Sequence, residues 1–389
     1  MKQVAISLES HVGKQVDLVV IAGEHSGDQH AASMVNEIKK ARPDINVVAF
    51  GGPALRRAGV DLICNMTRFS VVGVYEVLVN FFFFFRLLRR VFLWIKINNP
   101  RAVCLVDYPG FNLRLAKMLF THGLSKKGGG NISVLYYISP QIWAWKARRR
   151  HQIAKFVDKM AIILPFEKKC FEDTVLDVSF VGHPFAEKDH NLNVSYNPDG
   201  PILLLPGSRR PAVRTIFPVL LSIFREILRN DMERMAIVAY PDEAILAILR
   251  RILNKKFSKL LNKVTFIPDG ENMETSAAIM SSGTMSLRCC LAGIPGAIVY
   301  KTHPLTYAVG KVLTKVKFLG IANVLLGRCA WKEFLQSRLK VRTVAKYITN
   351  CLENSDMIDS FEAASLELKK ILSVSRDMSA AEWMLSAIG

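Results

Sequence analysis

Acid is what this chain is short of: 33 Asp and Glu stand against 52 Lys and Arg in 389 residues, a formal net charge of +19. Such a balance calls for an anionic partner or surface, whether phosphate-bearing substrate, acidic lipid or nucleic acid, and does not choose among them. The seven cysteines are odd in number and include neither a CxxC pair nor a His-linked ligand spacing. Their pattern excludes a zinc ribbon or a secreted disulfide framework and fits reduced thiols; the adjacent Cys289 and Cys290 read as helix packing residues. No stretch supplies the ~18 uninterrupted apolar residues of a membrane-crossing helix. The opening, MKQVAISLESHVGKQ, is too polar for a signal peptide. Short-period repeats are absent, and the only biased run is 81–85, five phenylalanines. A cytoplasmic protein able to touch a membrane is the expectation.

Half of the residues are apolar, enough for a core in each of the roughly two domains that ~100–200 residues per domain allows. Strand-like runs at 17–22, 47–50, 102–106, 134–138 and 160–164 alternate with helix-like stretches. A second series follows at 202–205, 236–239, 264–267, 277–280 and 297–299. The alternation predicts an α/β fold with parallel sheets covered on both faces. Three runs, AGEHSGD (22–28), LLPGSRR (204–210) and SSGTMSL (281–287), each pass from strand through a Gly-rich turn into helix-forming sequence. α/β proteins build ligand sites at such strand ends, so two such halves predict a two-domain enzyme with a cleft. The boundaries expected are an N-terminal domain over 1–184, ending at the GHP turn, and a C-terminal domain over 185–360. A polar linker is expected over 191–201, and a helical segment over 361–389 that packs back on the first domain.

From 81 to 96 the chain reads FFFFFRLLRRVFLWIK. As a helix this gathers Arg86, Arg89, Arg90 and Lys96 within about a third of the circumference and leaves the rest apolar, wider than docking on one core requires. Exposed Phe82, Phe83 and Phe84 beside arginines would suit an interfacial helix on anionic lipid. A helix buried between the sheet and a neighbour, its arginines merely solvated, is the alternative.

Further runs follow in fixed order: VVGVYEVL (71–78), VDYPGFN (106–112), SPQIWAWK (139–146), LPFEK (164–168), VGHP (181–184) and ANVLLGR (322–328). With AGEHSGD, GSR and SSGT, they make residues 17–340 resemble the lipid-A-disaccharide synthase family of glycosyltransferases. The resemblance implies a GT-B fold, two Rossmann-like doubly wound domains facing a central cleft, and an inverting transfer that needs no metal or cofactor. It also implies UDP-2,3-diacylglucosamine as donor and 2,3-diacylglucosamine 1-phosphate as acceptor, joined by a β-1,6 linkage. The implied setting is the anionic surface of the inner membrane of a Gram-negative cell, with the chain peripheral to it. A homodimer is left open.

An inverting transfer needs a base for the acceptor hydroxyl. Asp107, at a strand end, has the placement and matches the family's candidate; a structural cap on the next turn is the other reading. Glu24 is paired with it as a catalytic candidate. Ser26, Gly27 and Asp28 lie in a turn suited to orienting a sugar, although Ser26 or Asp28 as a plain helix cap competes. Ser208 and Arg209 suit diphosphate oxygens, and Ser282, Gly283 and Thr284 offer amides at a helix start. Asn323 is a candidate for substrate hydroxyls. His183 is a substrate-side candidate whose structural role is the stronger reading, and Trp143 and Trp145 read first as packing residues.

The family pattern breaks twice: Ala212 and Arg288 stand where the resemblance leads one to expect glutamates. Arginine cannot accept a hydrogen bond from a ribose, and its charge suits phosphate instead. Two other readings therefore stay open: another UDP-N-acetylglucosamine-type transferase or epimerase, and an inactive lipid-binding relative. A nucleic-acid binder fits the charge but finds no motif.

Overall fold

The computed structural model describes residues 7, 11–67, 81–186, 191–302 and 317–388. Within them the chain forms two compact units, Met1–Pro184 with Val374–Gly389, and Phe185–Ser373. The VVGVYEVL run falls outside the described residues.

The first unit is built on seven parallel strands: β1 (Leu18–Ala22), β2 (Val47–Gly51), β3 (Asp61–Asn65), β4 (Ala102–Val106), β5 (Ser133–Tyr137), β6 (Lys159–Ile162) and β7 (Asp177–Phe180), in spatial order β3-β2-β1-β4-β5-β6-β7. Every residue of β1, β2, β4 and β5 is buried, as continuous apolar strands covered on two faces must be. Their side chains join Leu88, Val91, Trp94 and Ile95 of the Phe81–Asn98 helix in one core. At the C-terminal end of the chain, Ser379 and Glu382 bond reciprocally to one another's backbone N–H and start the Ala380–Ile388 helix, which buries Trp383. Just before it, Asp377 accepts from the Phe180 amide at 2.9 Å and donates its own amide to the Phe180 carbonyl.

The second unit carries β8 (Val194–Tyr196), β9 (Ile202–Leu205), β10 (Ala236–Tyr240), β11 (Val264–Pro268), β12 (Met273–Thr275), β13 (Ala277–Ser281), β14 (Gly296–Tyr300) and β15 (Lys332–Leu335). Six make a parallel sheet of order β11-β10-β9-β13-β14-β15, and β8 pairs with β12. The expected linker is therefore partly structured: Asn and Pro mark its turns, but Val194–Tyr196 between them finds a partner strand in Met273–Thr275. The Arg210–Ile227 helix lays Val213, Ile216, Phe217, Leu220, Leu221 and Phe224 on this sheet at helical spacing. The Ser355–Leu372 helix also lies in this unit, whereas Ala380–Ile388 lies in the first. Among the described residues no helix is long and apolar enough to cross a membrane.

Candidate active site

Both sheets reverse their winding at one place: between β1 and β4 in the first, between β9 and β13 in the second. Crevices outside strand C-termini at such points are where doubly wound sheets bind ligands. In the first sheet the last paired rung is Ala22 with Val106, so the Gly23–Glu24 turn and Asp107 emerge side by side. Gly23 is required: a Cβ there would run into the Tyr108 ring. Asp107 and Tyr108 both adopt left-handed backbone, φ 43° and 45°, at a cost on the order of 1–3 kcal/mol each for non-glycine residues. The neighbourhood holds them there. The Asp107 carbonyl accepts from the Tyr136 hydroxyl at 2.6 Å and from Asn112 Nδ2 at 2.8 Å, its amide donates to Tyr137, and Tyr108 stacks on Phe111. Asp107 is half-buried at the strand end, and Glu24, also half-buried, follows the adjacent strand end.

The turn's other residues divide. A Cβ at Gly27 would lie 3.4 Å from Val106 Cγ1, and Ser26 is half-buried in the first turn of the His25–Ala41 helix. Asp28 turns inward: fully buried, it accepts from the amides of Gly52 at 2.6 Å, Ala54 at 2.8 Å and Leu55 at 3.4 Å. It caps the Pro53–Arg57 helix rather than its own, and Gly52 gives the room, since a Cβ there would come 2.5 Å from Asp28 Oδ2. Burial raises the Asp28 carboxyl, offset in part by these amides. His183 is buried edge-on to His30, ring centroids 6.2 Å apart.

Beyond β5 and β6 the structure adds a carboxyl that the sequence motifs did not assign. Glu167, 2% exposed, accepts from Trp143 Nε1 at 3.2 Å and from the Leu164 amide at 3.3 Å. Burial pushes it up to about 8, and the charge of Asp107 adds to the rise. Its LPFEK run was visible, but its burial depends on Trp143, more than twenty positions away.

In the second sheet Leu205 pairs with Met280, which brings the GSR and SSGT turns together. Gly207 has φ 96°, and a Cβ there would lie 3.2 Å from Ser281 Oγ. Ser208 and Arg209 are exposed, Arg209 just ahead of the Arg210–Ile227 helix. Ser282 donates to the Leu319 carbonyl at 3.0 Å, while Gly283 and Thr284 open the Thr284–Leu291 helix, whose first turn is tied by Ser286 Oγ to the Gly283 carbonyl at 2.6 Å. Asn323 is wholly buried and engaged: Nδ2 donates to Trp331 and Glu333, and Oδ1 accepts from the amides of Ala330 and Trp331. Arg288 is not directed at solvent anions. It is 7% exposed, bonds Asp269 at 2.8 Å and lies 4.9 Å from the Phe185 ring.

The basic aromatic helix splits its phenylalanines. Phe82 is 85% exposed and Phe85 39%, while Phe83 and Phe84 pack against the core, Phe84 edge-on to Phe111. Arg86 and Arg89 are exposed and Arg90 half-buried. One face thus shows rings and guanidinium groups together.

A family profile described as lipid-A-disaccharide synthetase matches residues 18–385. Lipid-A-disaccharide synthase 1 of Legionella pneumophila (strain Lens) is 38% identical over 382 residues, 92% of this chain and 94% of that protein. The lipid-A-disaccharide synthase of Nitrosococcus oceani is 33% identical over 378 residues, 94% of each. Among solved structures, a UDP-N-acetylglucosamine 2-epimerase of Listeria monocytogenes, so described provisionally, superposes with TM-score 0.59 at 12% identity over 96% of both chains. The calicheamicin glycosyltransferase does so with TM-score 0.53 at 13% identity, over 96% of this chain and 98% of that one. At these identities the likeness is one of fold, two Rossmann-like domains of GT-B type.

Proposed function

The chain belongs to the lipid-A-disaccharide synthase family and is a glycosyltransferase; we propose that it joins UDP-2,3-diacylglucosamine to 2,3-diacylglucosamine 1-phosphate by a β-1,6 linkage, releasing UDP. One observation carries the assignment of residues: in each sheet the two motif turns meet at the switch point, Glu24 beside Asp107 in one and Gly207 beside Ser281 in the other.

Asp107 takes the proton from the acceptor hydroxyl as that oxygen attacks the anomeric carbon of the donor. The bond to the UDP oxygen breaks on the opposite face, which inverts the configuration. Glu24 and Ser26, across the Gly23 turn, orient the sugar. Arg209, with Ser208 and the amides of Gly283 and Thr284, takes up the charge that develops on the departing diphosphate. Asp28, His183 and Asn323 act one step back, holding the turns in place. Phe82 with Arg86, Arg89 and Arg90, joined by Phe85, seats the chain on the anionic inner-membrane surface that carries both acylated substrates.

UDP release in mixed micelles, with and without acceptor, tests this reading alongside Asp107→Asn. Acceptor-dependent release that disappears in the variant supports it; equal release from a folded Asp107→Asn protein removes Asp107 from the role.

A further inference from the structure

We propose that Arg114, Lys146 and Arg149 form the subsite that takes the acceptor's phosphate monoester. The inference rests on the transferase reading above. Among the described residues none of the three pairs with a carboxylate, although their neighbour Arg150 bonds Asp173 at 2.6 Å. Two of them share one ring. Lys146 Nζ lies 4.5 Å and Arg149 Cζ 5.0 Å from the centroid of the Trp145 ring, which is 38% exposed. Lys146 sits in left-handed backbone, φ 55°, a turn that sets its side chain and that of Arg149 on the same ring. Burial lowers both Lys146 and Arg149, and neighbouring cations add to it, Arg149 and Arg114 at Lys146 and Arg114 at Arg149.

Position and chemistry agree with an anion carried on an acylated sugar. Arg114 projects from the Pro109–Thr121 helix, which begins two residues after Asp107, and its Cζ lies 5.4 Å from the Phe84 ring and 5.8 Å from Phe85. The turn that carries Lys146 and the helix that Arg149 opens follow β5, whose last rung pairs Tyr137 with Val106, the residue before Asp107. One sugar ring carries both the acceptor hydroxyl and the 1-phosphate, so a phosphate subsite has to lie close to Asp107, and the Val106–Tyr137 rung sets the two segments at adjacent strand ends. Planar guanidinium groups and an ammonium without carboxylate partners are suited to a phosphate dianion. The exposed rings of Phe85 and Trp145 at the margin suit the acyl chains.

The test compares 2,3-diacylglucosamine 1-phosphate with the same diacylglucosamine lacking the phosphate, in mixed micelles, for the parent chain and Arg114→Gln, Lys146→Gln and Arg149→Gln. Arg114 and Lys146 are exposed, so at least those variants keep the fold, checked by Tm. Each variant should raise KM for the phosphorylated acceptor about 10-fold or more, the scale of a charged hydrogen bond, and leave KM for the UDP-sugar and for the dephosphorylated acceptor unchanged. Calorimetric titration of both acceptors without donor separates the two claims. If the parent releases no UDP yet prefers the phosphorylated ligand, and the variants lose that preference, the subsite stands while the transferase reading fails. Variants that turn over with the preference intact overturn the subsite. So does a preference left intact while binding to phosphatidylglycerol vesicles falls, which would assign the three cations to bilayer headgroups.

Discussion

At the scale of single residues, the candidate base is set apart by its backbone: Asp107 and Tyr108 hold consecutive left-handed conformations that Tyr136, Asn112 and Tyr137 brace. All of that bracing reaches main-chain atoms of Asp107, so changing its carboxylate leaves the bracing intact. Asp107→Asn should lower turnover by roughly 10²–10⁴-fold with Tm unchanged; a large drop in Tm would make Asp107 a structural residue. Asp28 should behave in the opposite way, since Asp28→Ala strands three buried amides and should cost roughly 2–5 kcal/mol, read by denaturant unfolding. Glu167 provides the pH dependence. Its neutral form is favoured in the fold, so its contribution to stability is complete below the ordinary value of 4.5 and is lost as pH rises through about 8. Glu167→Gln should flatten that part of the Tm profile, and a profile parallel to the parent's between about pH 5 and 9 would contradict it. Asp107 was legible in the sequence because it ends an unbroken apolar strand. The work of Asp28, Asn323 and Glu167 was not, because each is decided by amides or rings that only the fold brings near.

At the scale of elements, strands that are buried on both faces announce themselves by composition, and β1, β4, β9 and β13 fall within a residue of where apolar runs predict them. Most edge strands do not: β11 falls on its predicted run, but β3 (DLICN), β7 (DVSF) and β15 (KEFL) carry charge on exposed positions, so neither alternation nor an apolar run marks them. The Phe81–Asn98 helix shows what periodicity does give. Its expected surplus of apolar width is there, but the outward rings are Phe82 and Phe85, with Phe83 and Phe84 turned to the core. Phe82→Ser with Phe85→Ser should release the chain from anionic vesicles at unchanged Tm, whereas Phe83→Ser with Phe84→Ser should lower Tm. Vesicle binding that survives the first pair would mean that this face is not the contact. In the Thr284–Leu291 helix, Arg288 replaces an expected glutamate without leaving an unpaired buried charge, because Asp269 meets it. Asp269→Asn breaks that pair and should cost about 3–5 kcal/mol, again by denaturant unfolding.

At the scale of the whole molecule, the two units repeat one plan, a parallel sheet that reverses its winding where two Gly-containing turns meet. The plan is shared with epimerases and with glycosyltransferases of unrelated substrates, so fold alone does not choose the chemistry. Membership in the family does, and the second sheet, beside the helices that carry Ala212 and Arg288, pairs Leu205 with Met280 at the two motif turns. The measurement that bears most directly on this account is the identity of the product formed from UDP-2,3-diacylglucosamine and 2,3-diacylglucosamine 1-phosphate. The expected product is a β-1,6-linked disaccharide 1-phosphate, its anomeric configuration read by NMR, in equal amount to the UDP released. An epimerised UDP-sugar, or an α-linked disaccharide, would contradict it.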